Sequence, residues 1–191
     1  MENWLKEERS AAAAERILDA AEQLFLDRGI EATGMADIAR AAGCSRATLY
    51  RYFDSRRALH LAFVHREARR VGEEVARGIE GVAPDAVLVE AMTRAIALVR
   101  ARPTLAAWFR LGEAGIAAEI AQSSEVIEAL GVAFLGRAGL ASDDLRMVAR
   151  WIVRIIVSLL TVPEGSPDEE RALIERFVAP VVPAQAIRNT G

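Results

Sequence analysis

Apolar positions recur at three- and four-residue spacing along most of the chain, and no stretch alternates long enough to make a credible strand. Ile17, Ala20, Ala21, Leu24 and Phe25 mark one face of a helix over 12–28, which Gly29 ends as a C-terminal cap. Thr33-Gly34 leads into a short helix over 35–42, with Met35, Ile38, Ala39 and Ala42 on one side. Gly43-Cys44 breaks that helix. Ser45 caps the next, because a serine oxygen accepts from the orphan N–H groups of a first turn. This third helix runs to about Phe53, with Leu49 as its apolar anchor and Ser45, Arg46, Ala47, Thr48 and Arg51 outward. Asp54-Ser55 opens a long fourth helix that reaches about Ile79.

Gly81-Val82-Ala83-Pro84-Asp85 reads as a linker. Beyond it the pattern predicts helices over 86–100, 104–111, 125–137, 142–162 and 167–179. The stretch 112–124 is ambiguous, since Gly112 and Gly115 weaken a helix whose apolar spacing persists. Asp143 and Asp144 suit the positive end of the helix dipole. Ser166-Pro167-Asp168-Glu169 is a capping box with proline at the first helical position. The expected fold is all-α with about nine helices. A three-helix domain over 11–54 precedes a larger helical domain over 55–183, the helix from 55 joins the two, and 184–191 forms a frayed tail.

Two short helices around a glycine-containing turn suggest a helix-turn-helix. Charge sharpens that reading. The chain as a whole carries −3. From Arg40 to Arg70, however, eight arginines face only Asp54 and Glu67, a local net of +6, and local charge is what a phosphate backbone meets. A solvated arginine-rich face is the plainer alternative. The stretch CSRATLYRYFDSRRAL also concentrates two tyrosines and a phenylalanine among four arginines, which suits neither a dry core nor a purely solvated face.

A single cysteine excludes an internal disulfide framework and fits a reducing compartment. The charged N-terminal stretch lacks a signal-peptide core. The apolar run Trp151–Val162 carries Arg154 and is too short to span a bilayer. The expectation is a soluble cytoplasmic protein.

The run Arg16-Ile17-Leu18-Asp19-Ala20-Ala21-Glu22-Gln23-Leu24-Phe25 is followed in order by Gly29, Thr33, Asp37-Ile38-Ala39, Ala42-Gly43, Ser45, Thr48-Leu49-Tyr50, Tyr52-Phe53 and Leu59. Together they resemble the DNA-binding domain of the tetracycline-repressor (TetR) family over residues 12–63. The resemblance implies a homodimeric transcriptional regulator, usually a repressor, whose third helices enter the major groove of a palindromic operator. A small molecule in the larger domain changes the spacing of the two reading heads. It also implies residue roles. Ser45, Thr48 and Tyr50 hold phosphate. Arg46 takes guanine or phosphate, and Ala47 meets a thymine methyl. Arg51 and Tyr52 reach bases or phosphates, Arg56 holds phosphate, and Phe53 and Leu59 are core. Gly34 departs from the family's usual serine or threonine, Cys44 from its usual valine, and the acidic residues Glu2, Glu7, Glu8 and Glu15 from its often basic arm. Cys44 is read as a small buried apolar residue, with a redox sensor as the alternative.

The helix over 142–162 is apolar nearly all round, so it needs burial on more than one side. Val148, Ile152, Ile155, Ile156 and Leu159, with Leu173 and Phe177 of the last helix, are the candidate dimer interface. Arg146, Arg150 and Arg154 mark its wetter stripe. Met92, Ile96, Trp108, Phe109, Ile116, Phe134 and Trp151 are the candidate lining for an apolar or amphipathic ligand, each also a plain core candidate. Arg110 and Glu113 are polar candidates that fit surface positions equally.

No cofactor or metal is expected. His60 and His65 stand five apart and diverge by about 140° around a helix. No nucleophile elbow or glycine-rich phosphate loop appears, so catalysis is not expected. A helical ligand-binding or interaction protein that keeps the fold without reading an operator remains the alternative function.

Overall fold

The computed structural model describes residues 2–109, 114–137 and 144–182. All regular structure among them is helical, in two compact units, Met1–Arg66 and Glu67–Gly191.

The first unit holds α1 (Glu2–Arg28), α2 (Met35–Ala41), α3 (Arg46–Tyr52) and the first turns of α4 (Arg56–Gly78). The start of α1 lies ten residues before the expected one. Lys6, Arg9, the neighbouring glutamates and Ala11–Ala14 are good helix formers with no Gly or Pro to stop them. Gly29 ends α1 at φ +84°, and its N–H donates to the Phe25 carbonyl. Ile17, Leu18, Ala21, Phe25, Ile30, Ile38, Ala39, Leu49, Leu59 and Phe63 form the core. At its centre the Phe25 ring meets Phe63 and His60 edge to face, at 5.4 and 5.6 Å between centroids. The division between units runs through α4 because Leu59 and Phe63 belong to this first core.

Arg66 closes the unit from the charged side. It is buried, and its guanidinium donates to Asp19 at 2.7 Å, Glu22 at 2.8 Å and Glu15 at 3.3 Å, all on α1. A buried cation persists only when paired in this way.

The second unit takes the rest of α4 and adds α5 (Val87–Ala101), α6 (Pro103–Ala106), α7 (Ala114–Ser123), α8 (Glu125–Arg137), α9 (Leu145–Thr161) and α10 (Pro167–Leu173). The ambiguous stretch is therefore helical over α7. The helix expected over 104–111 is the single turn α6 followed by a tighter turn, Ala107–Phe109. Past α10 the chain widens into a π turn, Ile174–Val178, then tightens over Ala179–Val181. Ser142, Asp143 and the tail 184–191 lie outside the described residues.

Leu88, Val89, Met92 and Ile96 of α5 pack with Leu135 of α8, Ile152 and Leu159 of α9, and Ile174 and Val178. The crossing of α8 and α9 is close. A Cβ added at Gly131 would stand 3.1 Å from the Cβ of Ala149. Ser166 caps α10 as expected, accepting from the Glu169 N–H at 3.2 Å. No helix among the described residues is long and apolar enough to cross a membrane.

Candidate nucleic-acid interface

Ser45 opens α3 with extended backbone, and its Oγ accepts from the Thr48 N–H at 3.0 Å. The Thr48 hydroxyl lies 2.8 Å from the same oxygen, so the two hydroxyls share one hydrogen bond. Gly43 precedes them at φ +68°, a left-handed conformation in which a Cβ is strained. The turn is tied by the Cys44 N–H donating to the Ala39 carbonyl at 2.9 Å. Cys44 itself is half-buried.

Leu49 is the only buried residue of α3. It is fully buried and seats the helix. The sequence-predicted contact residues then fall on the outer side. Ser45, Arg46, Ala47, Tyr50 and Arg51 are exposed, while Thr48 and Tyr52 are half-buried. Tyr50 is 41% exposed, unusual for so large a ring. The Arg51 guanidinium lies 5.4 Å from the centre of the Tyr52 ring, which restrains its direction. Backbone contacts fix the rest of the motif. The buried Thr33 hydroxyl lies 2.8 Å from the Gly29 carbonyl and 3.2 Å from that of Leu24. Gly34 caps α2 without a side-chain bond.

Arg56 stands differently from its neighbours. One of its terminal nitrogens, Nη2, donates to the backbone carbonyls of Ile30 at 2.6 Å and Glu31 at 2.9 Å. Arg16, which carried only family resemblance in the sequence, donates to the Ala42 carbonyl at 3.1 Å. Both contacts span 26 residues, so local sequence patterns could not reveal them.

In the second unit, Met92, Ile96 and Trp108 are buried, and Phe109, Phe134 and Trp151 are partly buried against the main cluster. The side chain of Ile116, with Arg110 and Glu113, lies outside the described residues. Ile152 and Leu159, expected at a dimer interface, are buried in the chain's own core, and Val148, Ile155 and Ile156 pack partly against it. Leu173 is half-buried and Phe177 is 63% exposed. Sequence reading passed over Met147, Val162 and Val181, which are also large, apolar and exposed. Arg146 and Arg150 are exposed and both pair with Glu128, at 3.6 and 2.5 Å.

A short α2, a left-handed glycine turn and an α3 anchored by one leucine define a helix-turn-helix unit with a polar, arginine-bearing outer face. Residues 17–63 match the family described as bacterial regulatory proteins, tetR family. An uncharacterized HTH-type transcriptional regulator present in two strains of Mycobacterium tuberculosis is 50% identical over 189 residues, covering 96% of this chain and 93% of the relative. The chain therefore belongs to the TetR family of helix-turn-helix transcriptional regulators. The transcriptional regulator AlkX of M. tuberculosis is 26% identical, over 94% of this chain and 89% of AlkX. Among solved structures, the TetR family repressor AlkX from Dietzia sp., implicated in biodegradation of n-alkanes, aligns with TM-score 0.68 and 23% identity, covering 88% of this chain and 94% of that one. RolR in complex with resorcinol aligns with TM-score 0.67 and 16% identity, over 94% and 92%. At these identities the two structures establish the fold alone.

Proposed function

We propose that this regulator is a homodimeric repressor that reads a palindromic operator through α3 and leaves it when an apolar or amphipathic small molecule binds the second unit. The observation that carries the reading is α3 itself. Leu49 alone faces the core, which leaves Ser45, Arg46, Ala47, Tyr50 and Arg51 outward within a locally cationic stretch. Arg46, at the first position of α3, is the candidate for bidentate guanine contact, and Ala47 for a thymine methyl. Ser45, Thr48 and Tyr50 offer hydroxyls to phosphate, and Arg51 and Tyr52 extend the contact along the groove.

The dimer reading rests on exposed apolar surface at the C-terminal end. Met147, Val162, Phe177 and Val181 are each more than 60% exposed. Val148, Ile155, Ile156 and Leu173 are only partly covered. Residues of this kind are supported best by a twofold contact between identical faces. The ligand reading rests on the aromatic and aliphatic set Met92, Ile96, Trp108, Phe109, Phe134 and Trp151 in the second unit. A relative implicated in n-alkane degradation supports an apolar effector class. The unit Met1–Arg66 serves as the reading head, and the unit Glu67–Gly191 as the effector and dimer domain.

Selection of bound duplexes from a random DNA pool tests the proposal. A recovered palindrome is the expected result. No enrichment with folded protein, with and without a panel of alkanes and fatty acids, overturns it.

A further inference from the structure

Arg56 belongs to the basic segment and Arg16 lies on α1, yet each spends its guanidinium on the backbone of its own unit. Arg56, in the first turn of α4, holds the carbonyls of Ile30 and Glu31 from a single nitrogen. Those two carbonyls belong to the turn that delivers α2. Arg16, on α1, holds the carbonyl of Ala42, the residue that ends α2. The helix between them has only seven residues and its glycine cap supplies no side-chain bond. Such a helix is marginal by itself. The turn before it and the residue that ends it are therefore held by arginines from the two longer helices of the unit.

We propose that Arg16 and Arg56 are positioning residues for DNA recognition, which fix α2 and thereby the presentation of α3, and that Arg56 is not a phosphate ligand. The geometry favours this over a phosphate role. Both protons of Arg56 Nη2 are committed to carbonyls, and the contact with Ile30 is partly buried. Turning Nη2 to a phosphate would strip the partly buried Ile30 carbonyl of its donor, which is costly, while Nε and Nη1 keep three further N–H groups, so the salt slope of binding decides between the two roles. Arg46 and Arg51, by contrast, extend from the exposed side of α3.

The inference rests on the DNA-binding reading above, and the test separates the two. Binding of a labelled 30-base-pair mixed-sequence duplex is followed by anisotropy across a salt series, for wild type, Arg56→Met, Arg56→Lys and Arg16→Met. Amide hydrogen exchange is measured over 30–45 in the free proteins. The expected result is binding weakened by about tenfold in Arg56→Met and Arg16→Met, by a constant factor at every salt, with faster exchange from Glu31 to Gly43. Arg56→Lys keeps the charge but shortens the reach to the carbonyls. It folds with the least disturbance and is expected to weaken binding at unchanged salt slope, with faster exchange at 31–34. A slope reduced by about 0.9 in Arg56→Met makes Arg56 a phosphate ligand and overturns the proposal. Wild-type binding by Arg56→Lys, or unchanged affinity of folded Arg56→Met despite lower stability, overturns it too. Failure of the wild type to bind any duplex sinks the DNA reading instead, and the exchange data then judge the grip on α2 by themselves.

Discussion

Arg100 on α5 and Glu170 on α10 meet fork to fork, with nitrogen–oxygen distances of 2.7 and 2.6 Å. The same guanidinium also donates to the Leu159 carbonyl at 2.9 Å, and Glu170 accepts from the Glu164 N–H at 3.2 Å. Three elements are tied through one nearly buried carboxylate. Arg100→Met strands that carboxylate and is expected to cost about 2–3 kcal/mol. That is less than the roughly 3–5 kcal/mol of a fully dry pair, since Arg100 is partly solvated. Chemical denaturation measures it, and a loss below about 0.5 kcal/mol counts against a stabilising role.

The acid limb of stability has two separable parts. Burial first, and the Arg56 guanidinium second, lower the pKa of His60 to about 4. Below pH 6.5 the unfolded histidine takes a proton that the folded one refuses, so stability falls as pH drops from 6.5 towards 4. The loss amounts to about 3 kcal/mol in total. Glu170 acts lower. Its hydrogen bonds from Arg100 hold the carboxyl below the ordinary range against the opposing effect of burial. Its contribution is present above the unfolded carboxylate pKa of about 4.3 and is lost as pH falls through the lower folded value. Denaturation midpoints from pH 7 to 3 are expected to lose the upper slope in His60→Leu and the lower one in Glu170→Gln. An unchanged profile in His60→Leu would falsify the assignment.

The α8–α9 crossing is sensitive to a single carbon. Gly131→Ala places its Cβ 3.1 Å from that of Ala149. This crowding is expected to offset the helix-propensity gain of up to about 1 kcal/mol, leaving stability nearly unchanged. Gly131→Val is expected to lose about 1–3 kcal/mol by overpacking. Thermal unfolding of the two variants checks the order.

On α3, stability and recognition divide by face. Leu49→Ala is expected to lose about 2–5 kcal/mol of stability, while Arg46→Ala leaves stability within about 0.5 kcal/mol. Against an operator recovered by selection, Arg46→Ala is expected to cost about 1–3 kcal/mol at one or two base positions. Tyr50→Phe should weaken all sequences alike. A loss confined to one base pair in Tyr50→Phe would reassign Tyr50 to base reading.

Phe177→Asp replaces an exposed apolar ring that lies 5.5 Å from the Arg176 guanidinium. Sedimentation at micromolar concentration is expected to show monomers, with the helical content of the wild type. A persistent dimer would place the interface elsewhere.

Much of this was legible from sequence, and the exceptions have physical causes. The caps at Ser45, Ser55 and Ser166 are local, and each serine accepts from the N–H three residues on. Leu49 stood out as the one large aliphatic residue on a polar short helix. Helix α9 gave no such guide, because apolar residues on every side conceal which ones face inward, and Ile152 and Leu159 do. The π turn at Ile174–Val178 inserts a residue into the helical count, which turns Phe177 outward while Ile174 and Val178 stay buried. The grips of Arg16 and Arg56 on backbone carbonyls leave no periodic trace at all.

The dependence of α3 on Leu49 alone has an evolutionary corollary. Six of its seven residues are not buried, so most can be exchanged with little folding penalty. A duplicated copy of this gene could acquire a new DNA address through a few surface substitutions, with the other unit left unchanged.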